Sequence, residues 1–221
     1  MPRNAPAHAE AIFRAGLARV DPLLMMRRVL TLSGDTLTCA TERESFSLDL
    51  SRYARILVLG AGKASARMAR GLEDLLGDRI HAGLVAVKEG HLEELSRIRL
   101  LETAHPVPDA RSAEAASRIL DLARSAGPED LVFVLVSGGG SAILAAPARE
   151  GDHALTLDDK RAVTLELLAC GADIHEINCL RKHLSAIKGG RLARAIAPAR
   201  CVSLILSDVV DRKSTRLNSS H

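Results

Sequence analysis

The stretch LVFVLVSGGGSA, residues 131–142, contains the pattern that decides the fold. It begins with six consecutive apolar residues, the length and composition of a β-strand that is buried on both faces. Three glycines, residues 138–140, then lie between Ser137 and Ser141, before a second apolar run begins. This order predicts a strand that turns sharply into a helix, and the main-chain N–H groups of such a turn can bind an anion.

The same strand-to-helix pattern occurs earlier, at RILVLGAGKAS, residues 55–65. Segments 82–88 and 99–103 have the composition of further strands, and segments 63–76 and 110–125 have helical periodicity. Alternating strands and helices with such apolar strands are typical of an α/β domain. We therefore predict a largely parallel, Rossmann-like sheet that carries helices on both faces.

Two further regions flank this alternation. Apolar residues at helical spacing predict a helical arm over about residues 6–30, with Asp21 and Pro22 at the start of its second helix. The alternating segment SFSLDL, residues 45–50, predicts a small hairpin or edge strand.

Helix signals also follow the glycine-rich turn. Capping-box spacing predicts one helix from Thr156 to about Ala169 and a second after Asp173, which Gly189 and Gly190 should end. The last predicted strand is CVSLILSDV, residues 201–209.

The composition excludes several classes of protein. Apolar residues make up 47% of the chain and charged residues 26%, and the formal charge of +3 includes +2 from residues 211–221. With 2% aromatic residues and no basic stripe, we expect no nucleic-acid partner. No apolar run reaches the ~18 residues of a membrane span, and we expect no secretion signal. Four cysteines without C-x-x-C spacing predict buried free thiols in a reducing cytoplasm: Cys39, Cys170, Cys179 and Cys201.

The final segment DRKSTRLNSSH, residues 211–221, interrupts the α/β rhythm with a polar sequence. We interpret it as a non-native or disordered tail. The N-terminal α/β domain is then expected to cover residues 1–210.

The turn GAGKAS, residues 60–65, differs from known phosphate-binding patterns. A single residue separates Gly60 from Gly62, so the spacing of a Walker motif is missing, and Ser65 stands where a dinucleotide fingerprint has its third glycine. Lys63, predicted in the first turn of a helix, would oppose the helix dipole. A bound phosphate or carboxylate would explain a cation at this position.

Other polar residues follow predicted strands or share one helix. His105 lies on a proline-fixed loop after a strand, and Asp208 lies at the end of the last strand, a common position for a Mg²⁺ ligand. Asn178, Arg181 and Lys182 form a helical stripe, with Ser185, that could fix an anionic substrate or simply face solvent. The metalloprotease pattern H-E-x-x-H is broken at position 179.

Six motifs in this order resemble the glycerate 2-kinase family: GAGKAS, HPVPD, LVSGGGSA, TLDDKRAV, GADIHEINCLRKHLSAIKGGRLA and LSDVV. The resemblance covers about residues 8–210. It implies an N-terminal α/β domain followed by a C-terminal domain that this chain lacks, with the active site between the two. The chain would then be a truncated kinase, inactive or nearly so alone.

The resemblance implies transfer of a phosphoryl group from ATP, with Mg²⁺, to the 2-hydroxyl of glycerate. Lys63 matches the family's active-site lysine, and Asp208 an active-site carboxylate that holds the metal or takes the hydroxyl proton. The remaining residues would bind substrate or phosphate: Gly60, Gly62, Ser65, His105, Ser137, Gly138, Gly139, Gly140, Ser141, Asn178, Arg181 and Lys182. A homo-oligomer is compatible with this assignment.

Two alternatives remain open from the residues. Gly60 and Gly62 after a strand are compatible with an NAD(P)-dependent hydroxypyruvate reductase, although Ser65 and Lys88 depart from its pattern. A non-catalytic domain that binds sugar phosphates or other small anions would also use two glycine-rich turns.

Overall fold

The computed structural model describes residues 5–42, 44–150 and 153–207, and it confirms the predicted α/β class. The strands in these residues are β1 (Leu30–Ser33), β2 (Thr36–Ala40), β3 (Ser45–Asp49), β4 (Arg55–Ala61), β5 (Ile80–Lys88), β6 (Ile98–Thr103), β7 (Asp130–Ser137), β8 (Arg149–Glu150), β9 (His153–Ala154) and β10 (Arg200–Leu206). The helices are α1 (Ala5–Val20), α2 (Pro22–Val29), α3 (Ser65–Leu76), α4 (Ala110–Arg124), α5 (Gly140–Ile143), α6 (Leu157–Ala169), α7 (Ile174–His183) and α8 (Arg191–Ile196).

Five parallel strands form the central sheet in the order β10-β7-β4-β5-β6. The chain builds the sheet outward in one direction from β4 through β5 to β6, and then returns to add β7 and β10 on the other side of β4. The strand order therefore reverses between β4 and β7. In open α/β sheets, ligands bind in the crevice at such a reversal, beyond the carboxyl ends of the strands. Both glycine-rich turns follow these two strands.

The central strands are buried on both faces because alternate side chains enter two separate cores. In β4, Ile56 and Val58 join a core that α3 covers, whereas Leu57 and Leu59 join a core that α4 covers. This arrangement explains why the strand is apolar throughout rather than alternating.

The amino-terminal region contains the predicted helices and a sheet that is larger than predicted. Asp21 caps α2 by accepting a hydrogen bond from the Leu24 N–H at 3.1 Å, with Pro22 at the first helical position. The strands β1, β2 and β3 then form an antiparallel sheet in that order. Leu37 and Leu48 attach this sheet to the core under α3.

The predicted continuation of α7 to Gly189 is wrong. The helix ends at His183, because the next residues pair with the segment after α5. The Ala148 N–H donates to the Leu184 carbonyl at 3.1 Å, and the Ala186 N–H donates to the Ala146 carbonyl at 3.0 Å. Both capping boxes are confirmed, at the starts of α6 and α7.

All four cysteines are free, as predicted, but two are not buried. Cys170 and Cys179 are exposed because α6 and α7 lie outside the two cores, where an apolar neighbourhood in sequence does not produce burial. Cys39 is buried and Cys201 is partly buried. None of the helices in the described ranges is both long enough and apolar enough to cross a membrane.

Candidate functional site

The two glycine-rich turns are bonded directly to each other. The Lys63 N–H donates to the Gly138 carbonyl at 2.9 Å, and the Ala64 N–H donates to the Ser137 hydroxyl at 3.0 Å. The hydroxyls of Ser65 and Ser137 lie 2.9 Å apart, in hydrogen-bond contact, and both residues are buried. The turns therefore form one rigid unit at the carboxyl ends of β4 and β7.

Glycine is required at the point where the two turns approach each other most closely. A methyl group on Gly62 would lie 2.1 Å from the Ser137 hydroxyl oxygen and 2.6 Å from the Ser137 carbonyl oxygen. The φ angle of Gly62 is +145°, which side chains also disfavour. A predicted role for Ser65 and Ser137 in binding substrate is untested; their observed contacts hold the two turns together.

Lys63 and His105 meet across the second turn. A methyl group on Gly139, which has a φ of +83°, would lie 2.9 Å from the His105 Nε2 atom and 3.1 Å from the Lys63 Cε atom. Burial and the charges of Lys63, Lys88 and His91 lower the pKa of His105 below its usual value of 6.5. The imidazole is thus held neutral at physiological pH beside a lysine.

Lys63 does not lie within the helix as predicted. The cap of α3 is Ala64 and the helix begins at Ser65, and the Lys63 N–H before it donates to the Gly138 carbonyl of the other turn. The Lys63 side chain is exposed, just outside the start of α3. A cation at this position and the start of α3 would both attract the same anion.

A cavity of about 510 Å³ opens beside the second turn. Its walls are mostly apolar, and its polar edge is the segment from Ser137 to Ser141. All five residues of this segment are predicted site residues, and Gly60 also lines the cavity. The apolar lining residues come from the core that α4 covers and from the last strand: Ile119, Val134, Val136, Leu144, Ile187, Leu192, Ile205 and Leu206.

A second cavity of about 390 Å³ lies between α6, α7 and the His105 loop. It contains Lys160, Arg181 and Lys188, and it shares Ser141 and Lys188 with the first cavity. Burial, with the charges of Lys160 and Arg181, lowers the pKa of Lys188 from 10.5 to about 7. Burial and the charge of Arg181 also lower the pKa of Lys160.

Sequence analysis missed Lys160 and Lys188 as candidate site residues. Lys160 lies in the charged run LDDKR, which is typical of a solvated helix face. Lys188 was expected near the end of a long helix, whereas the chain leaves α7 early and directs this lysine to the Leu144 carbonyl, 2.6 Å away. Burial of both lysines depends on tertiary packing, and the sequence contains no signal of it.

The predicted stripe on α7 is separated in the structure. Arg181 lines the second cavity, while Asn178 and Lys182 are exposed and line neither cavity. Ser185 lies beyond the helix, fully buried, so the four residues do not form one helical face as predicted.

Asp208, the predicted metal ligand and catalytic carboxylate, lies outside the described residues. Within residues 5–42, 44–150 and 153–207, no three His, Cys, Asp or Glu side chains are grouped as metal ligands. We therefore assign none of the described side chains to Mg²⁺.

Comparison with known proteins relates this chain to a family and to several named proteins. Residues 8–220 match the family described as domain of unknown function (DUF4147). The chain is 52% identical over 155 residues to a putative hydroxypyruvate reductase of Agrobacterium vitis, covering 70% of this chain and 39% of that protein. It is 42% identical over 156 residues to the glycerate 2-kinase of Pyrococcus horikoshii, covering 71% of this chain and 34% of that protein.

A solved structure shares the fold. The crystal structure of glycerate kinase from Thermotoga maritima matches with a TM-score of 0.77 and 32% sequence identity. The match covers 94% of this chain and 45% of the Thermotoga chain. The chain thus spans less than half the length of each of these three proteins.

Proposed function

We propose, from the premise that this chain belongs to the glycerate kinase family described as DUF4147, that it contributes one wall of a site for phosphorylating glycerate. The family resemblance predicted from the six motifs is confirmed. Transfer from ATP to the 2-hydroxyl, giving 2-phosphoglycerate and ADP, is the finer part of the proposal. It is supported by the name of the Pyrococcus relative.

One observation carries the proposal: two glycine-rich turns are bonded together where the strand order reverses, with Lys63 beside Gly139. Phosphoryl transfer depends chiefly on positioning and on charge stabilisation of the transferred group. Lys63 supplies an exposed positive charge, and the first N–H groups of α5 lack acceptors in a preceding helical turn. Together they suit the oxygen atoms of a phosphoryl group.

In the proposed reaction, the glycerate hydroxyl oxygen forms a bond to the γ-phosphorus while the bond from that phosphorus to the ADP oxygen breaks. The hydroxyl proton passes to a base, a role proposed for Asp208. Mg²⁺, when bound, would neutralise negative charge on the phosphates. The other role proposed for Asp208, instead of that of the base, is to bind this metal ion. Lys63 and the turn hold the phosphoryl group in line between the two oxygen atoms.

The name of the Agrobacterium relative favours hydroxypyruvate reduction as a second candidate. The structure gives this candidate less support, since Ser65 occupies the third fingerprint position and its hydroxyl contacts Ser137 rather than leaving space for close helix packing. Binding of NADH or NADPH to the chain, without binding of ATP, would favour the reductase.

The other alternative is a non-catalytic anion-binding domain. Such a domain would bind ATP or glycerate, but it would not support turnover even as part of a complete enzyme.

The test uses two proteins: the chain itself, and a chimera in which residues 1–210 replace the matching part of the Thermotoga glycerate kinase. The structural match covers 94% of this chain and 45% of the Thermotoga chain, so superposition of the two structures can be used to choose the junction. We expect the chimera to form ADP and 2-phosphoglycerate from ATP and glycerate, and the chain alone to be nearly inactive. Residues beyond 210, including the proposed tail 211–221, are omitted from the chimera.

The product is identified by ³¹P NMR, which separates 2-phosphoglycerate from 3-phosphoglycerate. Cooperative unfolding of the chimera establishes that it is folded. A folded chimera that forms no ADP with glycerate contradicts the proposal. Turnover by the isolated chain at ordinary kinase rates refutes the proposed need for a C-terminal domain. A cytoplasmic location is part of the same proposal and is consistent with four free thiols.

A further inference from the structure

Among the residues that the structure describes, those lining the second cavity include several cations and no carboxylate. Four cationic side chains line it, Lys160 and Arg161 on α6, Arg181 on α7, and Lys188 after α7. Arg161 pairs with Asp158 at 3.1 Å and donates to the Pro108 carbonyl. Within the described ranges, the other three cations form no salt bridge with a carboxylate.

The three remaining cations have few partners of any kind. Lys188 donates to the Leu144 carbonyl at 2.6 Å, and Lys160 approaches the Ala146 carbonyl at 3.5 Å. The Arg181 guanidinium makes no hydrogen bond with the described residues. Each side chain therefore keeps donors available for a ligand.

Grouping like charges in a partly enclosed place opposes folding. Each cation raises the cost of charging its neighbours, and burial adds to that cost. The lowered pKa of Lys188 and of Lys160 reflects both causes, with burial the larger. An arrangement of this kind is favoured where a bound anion removes the repulsion, and perturbed groups in clefts often mark binding sites.

The position of the cluster connects it to the proposed active site. Ser141 and Lys188 line both cavities, so a ligand in the first can extend into the second. Apolar residues also line this cavity: Val107, Ala145, Leu157, Leu165 and Leu184. Val107 and Leu165 are exposed, so the apolar lining shields the cations from water only in part, and charge-assisted hydrogen bonds strengthen to that extent.

We propose that Lys160, Arg181 and Lys188 form a subsite that binds a carboxylate or phosphate group of a small ligand. The existence of the subsite rests on the geometry of the cavity, and only its assignment to glycerate or ATP rests on the proposed function. Arg181 on α7 supplies a planar pair of donors, and Lys160 on α6 and Lys188 after α7 supply further positive charge.

Calorimetric titration of the chain at pH 7.5 tests the subsite with three probes: glycerate, orthophosphate and ATP. We expect Lys160→Gln, Arg181→Gln and Lys188→Gln each to weaken binding of the same probe by about tenfold or more, as for loss of one charge-assisted hydrogen bond. The matched control is Arg194→Gln, the loss of one basic side chain at an exposed residue of α8 that lines neither cavity. It should leave the affinities unchanged.

The three probes distinguish the source of the anion. Weakened glycerate binding alone assigns the subsite to a carboxylate, and weakened orthophosphate and ATP binding assigns it to a phosphate. Either pattern supports the subsite. Absence of binding by all three probes, or affinities that all three variants leave unchanged, overturns it. Urea unfolding of each variant establishes that the fold is retained.

Proton uptake on ligand binding distinguishes a binding role of Lys188 from a purely structural role, because a structural role would not change the uptake. The charged groups lining the cavity with Lys188 are Lys160, Arg161 and Arg181. With a pKa of about 7, Lys188 is mostly neutral at pH 7.5, and a bound anion would favour its protonated form. Titrations in two buffers of different ionisation enthalpy should show uptake that Lys188→Gln abolishes. Binding without uptake contradicts the role of Lys188.

Failure of the subsite and failure of the kinase proposal give different results. Anion binding that the variants weaken, together with a folded chimera that forms no ADP, overturns the kinase proposal alone. Product formation by chimeras carrying the three substitutions, with unchanged KM for both substrates, overturns the subsite alone.

Discussion

Replacing Gly62 with alanine tests how the two glycine-rich turns are held together. The new methyl group would lie 2.1 Å from the Ser137 hydroxyl oxygen and 2.6 Å from the Ser137 carbonyl oxygen. A φ of +145° costs a residue with a side chain about 1–3 kcal/mol. Forcing an extra carbon into a packed place costs about 1–3 kcal/mol more. We therefore expect the free energy of unfolding to fall by about 2–6 kcal/mol.

A matched variant separates the two causes. Gly90 has a φ of +77°, but a methyl group there would meet no atom within 4 Å. Gly90→Ala should cost only about 1–2 kcal/mol, the backbone contribution alone. Ser137→Ala should not rescue Gly62→Ala, because the carbonyl of residue 137 still blocks the methyl group.

Urea unfolding followed by circular dichroism measures these differences. A stability near 5–15 kcal/mol is usual for a domain, so a loss of several kcal/mol is readily detected. Equal losses for Gly62→Ala and Gly90→Ala would refute the close approach of the two turns. Rescue by Ser137→Ala would show that the hydroxyl, rather than the main chain, sets the limit.

Three further substitutions have defined outcomes. Lys188→Met should raise the free energy of unfolding by about 1–2 kcal/mol at pH 6, where the fold keeps Lys188 protonated at a cost of burial and repulsion that the unfolded chain does not bear. The gain should shrink as pH rises from 7 towards 10.5, and urea titrations at several pH values that show a constant gain contradict this. Asp130→Asn should lower the free energy by about 2–4 kcal/mol, since buried Asp130 accepts bonds from Arg55 at 3.0 and 2.6 Å. Those bonds lower the pKa of Asp130 below 3.8, so the difference from wild type should be full above pH 4 and diminish in acid, and a difference that persists at pH 2 is the opposing result. Ser65→Ala should cost about 1 kcal/mol in urea unfolding, because Ser137 keeps its bond from Ala64, and a loss above 3 kcal/mol would contradict this division.

The fold was largely predictable because its strands are apolar on both faces. The runs before Gly60 and Ser137 can only be buried under helices, and this settles the α/β class. The small sheet β1–β3 was largely missed because its strands have four or five residues and many polar side chains. The early end of α7 was missed because the pairing of residues 184–186 with 146–148 is a tertiary contact.

The candidate site was predictable at its main-chain turns and less so at its side chains. The glycine patterns locate the turns after β4 and β7, and the strand order then brings them together. Lys160 and Lys188 look like ordinary surface lysines in sequence, since nothing local indicates their burial. Conversely, Asn178 and Lys182 share a helix with Arg181 but do not line the cavity that it lines.

The most direct test of the phosphoryl-transfer site is the turnover number of the chimera with Lys63→Met. Lys63 is exposed, so the substitution should leave the unfolding transition unchanged, and Arg194→Met serves as the matched control. Loss of a charge that stabilises the transferred group should lower kcat for ADP formation about 100-fold or more. A Lys63→Met chimera that retains more than a tenth of the control rate contradicts a phosphoryl-transfer site at these two turns.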